Sequence, residues 1–468
     1  MQNPVEVYGS IKNKSYSFLL ESPNADNKLE KYSFIGFDPV CVIESFGLIT
    51  RIIEGDRVTI RRGNPFDVLK ETMNRYEHLR LKDAPRFSGG AVGYISYNAG
   101  RFIEKLPDTA KDDTSLPDLM FVIPSKLAVF DHKRNKIISN FEILTPSSAS
   151  SDTPLHEMER GIKGVRPLVL KSNMTKDHFE EIVLKAKEYI KNGDIYQVNL
   201  SQRFEADTSA DPFDIYTAAR RINPSPFASY INFGDIKLIS SSPERLVLLE
   251  KGTAQTRPIA GTRPRGGDRS QDIKLKGELL LNEKERAEHI MLVDLERNDL
   301  GRVCDYKSVR VDEMMTVEKY SHVMHIVSNV TGKLRKDMDQ FDLFKAVFPG
   351  GTITGCPKIR SMEIIEELEP VKRGPYTGTI GYFGFNGNMD MSITIRTIVM
   401  KSQLPMTNNQ INPNYQIPNH KHKAYIQVGA GIVIDSIPEF EYYETINKGK
   451  ALFEAIRIAE GAKDVSLV

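Results

Sequence analysis

The sequence lacks a long apolar segment. No stretch approaches about 18 consecutive apolar residues, the length that marks a candidate membrane-spanning helix. The first ten residues, MQNPVEVYGS, lack the basic and apolar regions of a signal peptide. These absences predict a cytoplasmic protein with no membrane partner.

The sequence also lacks an excess of either charge. It has 63 basic and 62 acidic side chains, for a net charge of +1. No overall field therefore attracts nucleic acid or an anionic membrane, although a local basic pocket is compatible with this balance. We expect a small-molecule ligand and no nucleic-acid partner.

Cysteine is scarce. Cys41, Cys304 and Cys356 are far apart in the sequence, and they have neither metal-ligand spacing nor the even count of a secreted disulfide framework. They are expected to be reduced thiols. None lies in a Gly-x-Cys-x-Gly turn that presents a nucleophile, so the sequence does not predict glutamine hydrolysis by this chain.

The first region, residues 1–150, is predicted to be mainly β. Short apolar runs alternate with turn residues over 16–63, as in antiparallel strands, and a hairpin is predicted over 126–144. The small polar stretch TPSSASSDTP at 145–154 indicates a linker. A second region, 170–465, follows, with a helix capped by Thr175 and a polar loop at 402–420.

An acidic helix is predicted over Asn282 to Arg302. Glu285 and Glu288 are three residues apart and therefore share a helix face. Two carboxylates on one face suit a hard cation such as Mg²⁺, which takes oxygen ligands. A solvated acidic face is the alternative, and this helix alone leaves both open.

Several polar or glycine-rich clusters follow, and each alone has an ordinary structural explanation. His325 fits a core histidine, Arg396 a solvated strand arginine, and Glu444 with Lys448 a common i,i+4 helix pair. The loop FPGGTITGCPK at 348–358 offers backbone N–H groups to an anion, or is a plain turn; it is not a Walker motif.

In their order along the chain, these clusters resemble the chorismate-utilising enzymes, specifically the large subunits of anthranilate synthase and aminodeoxychorismate synthase. The resemblance runs from LLES at 19–22 to the C-terminal ETINK and is most specific over 190–450. It implies an α+β fold with two lobes, in which antiparallel β-sheets pack between helices and enclose one deep site.

The resemblance also implies the site residues. Chorismate carries two carboxylates, a hydroxyl and an enolpyruvyl ether, so its amination needs help for the leaving group and neutralisation of charge. The implied Mg²⁺ ligands are Glu288 and Glu444, with Glu285 beside them. The implied substrate contacts are Tyr376 and Arg396, the backbone of Gly429, Ala430 and Gly431, and Lys448; Thr262, Thr352 and His325 would line the ring, with His325 as acid or base.

Gln197 identifies the incoming group within this resemblance. Related isochorismate synthases have a lysine there that activates water, whereas the ammonia-using members resemble the YQVNL of this chain. A glutamine amide cannot act as that base. The resemblance therefore implies ammonia as the nucleophile and a separate glutamine amidotransferase subunit as its source.

Two products fit the resemblance. The motif RPIAGT resembles anthranilate synthases. It has Ala260 at the position where well-known aminodeoxychorismate synthases have a nucleophilic lysine. YQVNLSQRF, NPSPFASY and RGPYTGTIGY look more like aminodeoxychorismate synthases, some of which also have alanine in RPIAGT. We predict 4-amino-4-deoxychorismate, with anthranilate plus pyruvate as the alternative. A non-catalytic amino-acid sensor is a remote third hypothesis, because it requires a broken site and every matched polar position is filled.

LLES belongs to the region that binds tryptophan in this family. The implied site contains Leu20, Glu21, Ser22, Pro226 and Phe227. Phe227 and Ala228 replace the usual tyrosine and methionine, which argues against feedback inhibition here.

Overall fold

The structure, a computed structural model, describes residues 3–21, 32–143, 167–319, 323–403 and 422–468. The helices in these ranges are α1 (Pro4–Gly9), α2 (Pro65–Asn74), α3 (Lys176–Lys191), α4 (Pro212–Ile222), α5 (Arg269–Leu281), α6 (Glu283–Gly301), α7 (Gln340–Val347), α8 (Lys358–Leu368) and α9 (Pro438–Glu460), with 3₁₀ turns at Glu77–Leu79, Tyr97–Phe102 and Gly351–Ile353.

The strands in these ranges are β1 (Ser17–Glu21), β2 (Tyr32–Phe46), β3 (Ile49–Glu54), β4 (Arg57–Arg62), β5 (Gly90–Ile95), β6 (Leu119–Asp131), β7 (Lys136–Ser139), β8 (Leu168–Ser172), β9 (Gln197–Thr208), β10 (Phe227–Asn232), β11 (Ile236–Ser242), β12 (Arg245–Glu250), β13 (Thr253–Thr256), β14 (Ile259–Pro264), β15 (Arg310–Lys319), β16 (Val323–Lys333), β17 (Gly355–Cys356), β18 (Thr379–Gly384), β19 (Met389–Ile393), β20 (Thr397–Ser402), β21 (His422–Ile432) and β22 (Val465–Leu467).

Two long strands, β2 and β6, join two antiparallel sheet regions. They pair from Tyr32 opposite Asp131 to Ser45 opposite Leu119, with a register shift between Pro39 and Cys41. On one side the order is β2-β1-β10-β11-β20-β21-β9. On the other it is β6-β5-β18-β19-β12-β13-β16, and β16 also pairs with β14 and β15. This arrangement confirms the predicted fold class of antiparallel sheets packed with helices.

The helices cover apolar faces of the sheets. α9 packs on β21 and α4, and its buried residues Leu452, Phe453 and Ile456 share a core with Phe204 of β9. α6 begins where the sequence predicts, because the side chain of Asn282 accepts a hydrogen bond from the backbone N–H of Glu285. α6 packs against β14 and β16, and Glu285 of the predicted acidic face forms an ion pair with Arg263 of β14.

In each sheet region a block of strands from the first region pairs with a block of strands from the second region. β1 lies between β2 and β10, and β5 lies between β6 and β18. The boundary between regions 1–150 and 170–465 stays a prediction, and the linker at 145–154 lies outside the described residues. Among the helices of the described ranges, none is long and apolar enough to cross a membrane.

Candidate functional site

A cavity that is partly open to solvent, with about 230 Å³ accessible to the centre of a water molecule, lies where α6, α9, β14, β16 and β21 converge. The residues that line this cavity are far apart in the sequence. Of the predicted site residues, those that line it are Glu288, His325, Thr352, Tyr376, Arg396, Gly429 and Lys448, together with Ala260. The remaining predicted residues lie beside this lining, or have side chains that the structure does not describe.

The floor of the cavity is one face of the β9–β21 ladder. Gly431 pairs with Asn199 and Gly429 with Ser201. A Cβ atom at Gly429 would lie 2.5 Å from Asn199 Oδ1, and one at Gly431 would lie 2.9 Å from Gln197 Nε2. Glycine at these two positions therefore lets the two amide side chains of β9 lie across β21. Ala430, between them, is fully buried on the opposite face.

Arg396 and Lys448 bring two cations to one part of the cavity. Arg396 Nη1 donates to the carbonyl oxygen of Lys448 at 2.9 Å, and Lys448 Nζ donates to the carbonyl oxygen of Gly429 at 2.9 Å. Burial lowers the pKa of Arg396, which still leaves a guanidinium charged at neutral pH. Arg396 has a left-handed backbone with φ 52°, which costs about 1 kcal/mol or more in a non-glycine residue.

A backbone donor faces the same part of the cavity as these two cations. β20 pairs with β21 only as far as Ile426, so the edge of β21 beyond Ile426 has no β20 partner in the described residues. The Gly429 carbonyl points from this edge to Lys448, and the N–H of a strand residue points the same way as its carbonyl. The Gly429 N–H therefore faces the same side as the Lys448 ammonium.

The predicted metal ligands differ in their surroundings. Glu288 lines the cavity, and its Oε1 accepts a hydrogen bond from Gln197 Nε2 at 3.0 Å. Glu444 lies one helical turn before Lys448 and forms an ion pair with it at 2.6 Å. Glu285 instead pairs with Arg263 at 3.2 Å. In the described residues no group of three or more His, Cys, Asp or Glu side chains is arranged to hold a metal ion.

Glu244 is a cavity residue that the sequence analysis missed. It lies in the turn between β11 and β12, is 7% exposed, and accepts a hydrogen bond from Thr352 Oγ1 at 2.8 Å. Burial raises the pKa of Glu244 to about 7, although Thr352 and Lys448 oppose the rise. A carboxyl group with this pKa can donate a proton near neutral pH. In the sequence Glu244 is only one charged residue in the Pro-Glu-Arg turn of ISSSPERLVLLE, between two strand-like segments.

His325 lies on β16 opposite Thr262 of β14. Its Nδ1 donates to the carbonyl oxygen of Gly261 at 3.3 Å, because a carbonyl can only accept. Burial lowers the pKa of His325, which favours the neutral imidazole at pH 7. The structure does not describe the Thr262 side chain, so its predicted role stays a prediction.

A second pocket, with about 60 Å³ accessible to the centre of a water molecule, is lined by the predicted residues Leu20, Glu21, Pro226 and Phe227. Arg220 and Tyr216 both donate to the Glu21 carboxylate. Ser22 lies outside the described residues. Arg245 lines this pocket while its neighbour Glu244 lines the larger cavity, so the two sites adjoin at the start of β12.

The fold and the cavity define a class of α+β proteins whose site joins two cations, a protonatable acid and further carboxylates. The model of one family, described as chorismate binding enzyme, matches residues 15–454. The chain belongs to this family, and it is a chorismate-utilising enzyme of the anthranilate synthase and aminodeoxychorismate synthase type.

The relatives include members of both types. The chain is 44% identical to anthranilate synthase component 1 of Acetivibrio thermocellus, over 98% of this chain and 94% of the relative. It is 42% identical to aminodeoxychorismate synthase component 1 of Bacillus subtilis strain 168, over 96% and 93%. The crystal structure of anthranilate synthase component I from Streptococcus pneumoniae TIGR4 matches with a TM-score of 0.73 at 33% identity, over 97% of each chain.

Proposed function

We propose that this protein aminates chorismate with ammonia to give 4-amino-4-deoxychorismate. The observation that supports the proposed amination is the buried Glu244. It accepts a hydrogen bond from Thr352 and lines the same cavity as Arg396 and Lys448. Its protonated carboxyl is suited to protonate a leaving hydroxyl group, while the two cations bind the substrate carboxylates. Tyr376, which also lines the cavity, contributes to carboxylate binding beside Arg396.

The carboxylates fit the hard cation that this family implies. Glu288 would hold Mg²⁺ from the cavity wall, with Glu444 as the second ligand, and both offer the oxygen donors that Mg²⁺ prefers. Two protein carboxylates suffice, because Mg²⁺ usually keeps several sites for water and substrate oxygens. When bound, Mg²⁺ would neutralise and orient a substrate carboxylate. Gln197 orients Glu288 through their hydrogen bond.

The nitrogen source gives a direct test. Ammonium salts at alkaline pH should support turnover by the isolated chain, whereas glutamine should do so only after a glutamine amidotransferase subunit is added. The reason is that no cysteine nucleophile motif for glutamine hydrolysis is present. Chorismate consumption with each nitrogen source measures this, and glutamine turnover by the purified chain alone would contradict it.

The motifs shared with aminodeoxychorismate synthases support C4 as the position of the new amino group. Ala260 lines the cavity and provides no nucleophile, so C4 amination here would not pass through a covalent lysine intermediate at this position. We expect the enolpyruvyl group to be retained, and p-aminobenzoate to form only after a separate lyase is added. Coupled assays for pyruvate and for p-aminobenzoate measure this.

One observation favours anthranilate as the second candidate product. The neutral His325 in the cavity is able to accept the proton that must leave the ring when pyruvate is eliminated. Pyruvate released in step with chorismate consumption, without a lyase, would show that this second candidate is correct.

The pocket beside Glu21 is proposed to bind an aromatic amino acid, with tryptophan as the first ligand to test. Phe34, Phe227 and Tyr382 give it aromatic walls, and Arg245 and Asp390 give it charges of both signs. These features complement a zwitterion with an aromatic side chain.

A further inference from the structure

The chain crosses between the two sheet regions at the wall of the cavity. β11 pairs with β20 in one region and β12 pairs with β19 in the other, so the short turn between β11 and β12 carries the chain from one region to the other. Glu244 lies in this turn and lines the cavity. A shift of one sheet region against the other would therefore move the Glu244 carboxyl group relative to a bound substrate.

A second crossing lies beside the first. β19 and β20 are consecutive strands in different regions, and Arg396 lies between them. Backbone hydrogen bonds join the two crossings. The Ile393 N–H donates to the carbonyl oxygen of Glu244 at 3.0 Å. The Ser241 N–H donates to the carbonyl oxygen of Arg396, also at 3.0 Å. Two adjoining turns therefore hold the proposed proton donor and a substrate-binding cation.

The side chain of Arg245, the residue after Glu244, connects the two sheet regions. Its guanidinium group donates two hydrogen bonds to the Asp390 carboxylate on β19, from Nε at 2.8 Å and from Nη2 at 3.1 Å. The same group lies over the ring of Phe227 on β10, with Cζ 5.0 Å from the ring centroid. β10 belongs to the region of β11, and β19 belongs to the region of β12. Arg245 thus links both regions at the position next to Glu244.

This link has a fixed geometry. Arg245 is 4% exposed, and a bidentate pair between a guanidinium and a carboxylate fixes orientation as well as distance. Arg86 holds the same Asp390 carboxylate, with Nη1 3.4 Å from Oδ2, and also donates to Glu250 at 2.9 Å. Asp390 is therefore a fixed anchor for Arg245.

We propose that Arg245 is a positioning residue for the proton donor: by tying the start of β12 to β19 and β10, it keeps the Glu244 carboxyl group buried beside Thr352 and directed at the departing hydroxyl group. This proposal rests on the proposed function in that Glu244 is the proton donor, and it holds for either product. Arg245 does not belong to the described lining of the cavity, so it acts through Glu244.

Other charged groups face Glu244 directly. The titratable side chains that share the cavity lining with it are Glu288, His325, Tyr376, Arg396 and Lys448. Glu296 of α6 also interacts with it electrostatically. The pKa of Glu244 is raised by burial and lowered by Thr352 and Lys448, with no contribution from the charge of Arg245. A loosened turn would admit water to the carboxyl group and lower this pKa towards its ordinary value of 4.5.

Arg245→Lys tests the link, because lysine keeps the positive charge but cannot form the bidentate pair with Asp390. It should lower kcat by about tenfold to 100-fold, the effect expected when a reacting group is displaced by about 1 Å. The KM for chorismate should change less than about twofold, since Arg396 keeps its own hydrogen bond to the Lys448 carbonyl. At a fixed concentration of free NH₃, kcat should fall at a lower pH than in the wild type, because a less buried Glu244 has a lower pKa.

Arg86→Lys is the matched control. Arg86 is also a buried arginine that binds Asp390, but it is not adjacent to Glu244 in the chain. This variant should keep kcat within about twofold of wild type and leave its pH dependence unchanged. A double-mutant cycle adds a second readout. In a Glu244→Gln background, Arg245→Lys should lower kcat by less than about twofold, because no proton donor is left to displace.

The outcomes separate the positioning role from the proposed function. Wild-type kcat and pH dependence in folded Arg245→Lys, an equal change in Arg86→Lys, or a full additional loss in the Glu244→Gln background would overturn the positioning role alone. Nearly normal activity of Glu244→Gln by itself would instead overturn the proposed proton donor. If Arg245→Lys does not fold, Asp390→Asn replaces it, with Glu250→Gln as its control.

Discussion

Replacing Glu244 with glutamine should lower the rate of chorismate amination by about 100-fold to 10,000-fold, the usual contribution of a positioned general acid. The glutamine keeps the shape and can still accept the hydrogen bond from Thr352, but it has no acidic proton to give to the leaving hydroxyl. Steady-state rates at saturating chorismate, Mg²⁺ and NH₃ measure the loss.

The raised pKa of Glu244 also predicts two pH effects. At a fixed concentration of free NH₃, kcat should fall as the pH rises above about 7, because the carboxyl group loses its proton. The native protein binds more protons than the unfolded chain between the ordinary pKa of 4.5 and about 7, so stability falls as pH rises through that window. The loss amounts to about 3 kcal/mol. Glu244→Gln should therefore be more stable than the wild type at pH 8.

Glu296→Gln is the control for this experiment. Glu296 is also a carboxyl group whose pKa is raised by burial, yet it does not belong to the described lining of the cavity. This variant should keep a rate within about threefold of wild type, since Glu296 interacts electrostatically with Glu244 but lies outside the cavity lining and has no proton-transfer role. A Glu244→Gln enzyme with nearly normal activity would rule out Glu244 as the proton donor.

Glu288→Gln is expected to lower activity by more than about 100-fold at saturating Mg²⁺, because it removes a carboxylate ligand while the side chain keeps its shape. A second measurement is independent of turnover. Added Mg²⁺ should raise the melting temperature of the wild type more than that of the variant, since a ligand stabilises the state that binds it.

Glu283→Gln provides the control on the same helix. Glu283 is exposed in the first turn of α6, outside the cavity lining, so its loss should leave the Mg²⁺ response unchanged. Glu288→Gln activity within about tenfold of wild type, together with an unaltered Mg²⁺ shift, would remove Glu288 from the metal site.

Local features of this fold could be predicted from the sequence because their causes are local. Asn282 and Thr175 cap helices through hydrogen bonds to residues three positions later, and the strand pattern over 16–63 appears as β1 to β4. The pairing of β1 with β10 depends on contacts about 200 residues apart and has no local signal. The two-lobed architecture came from the resemblance, not from periodicity.

The candidate site also contains residues that could be predicted from the sequence and residues that could not. The resemblance supplied Arg396, Lys448 and Glu288, and the structure places them around one cavity. Glu244 could not be predicted from the sequence, because its importance comes from burial, which raises its pKa. A single glutamate in a turn between two strands has no sequence spacing that reveals this burial.

The pairing of first-region strands with second-region strands, β1 with β10 and β5 with β18, limits how this protein can be divided or recombined. A fragment without residues 1–150 would lose β1 and β5, and would leave one edge each of β10 and β18 without a partner. Open edges of this kind promote aggregation. The N-terminal region is therefore not an exchangeable module: a chimera that takes it from a relative must also match the facing edges of β10 and β18 residue by residue.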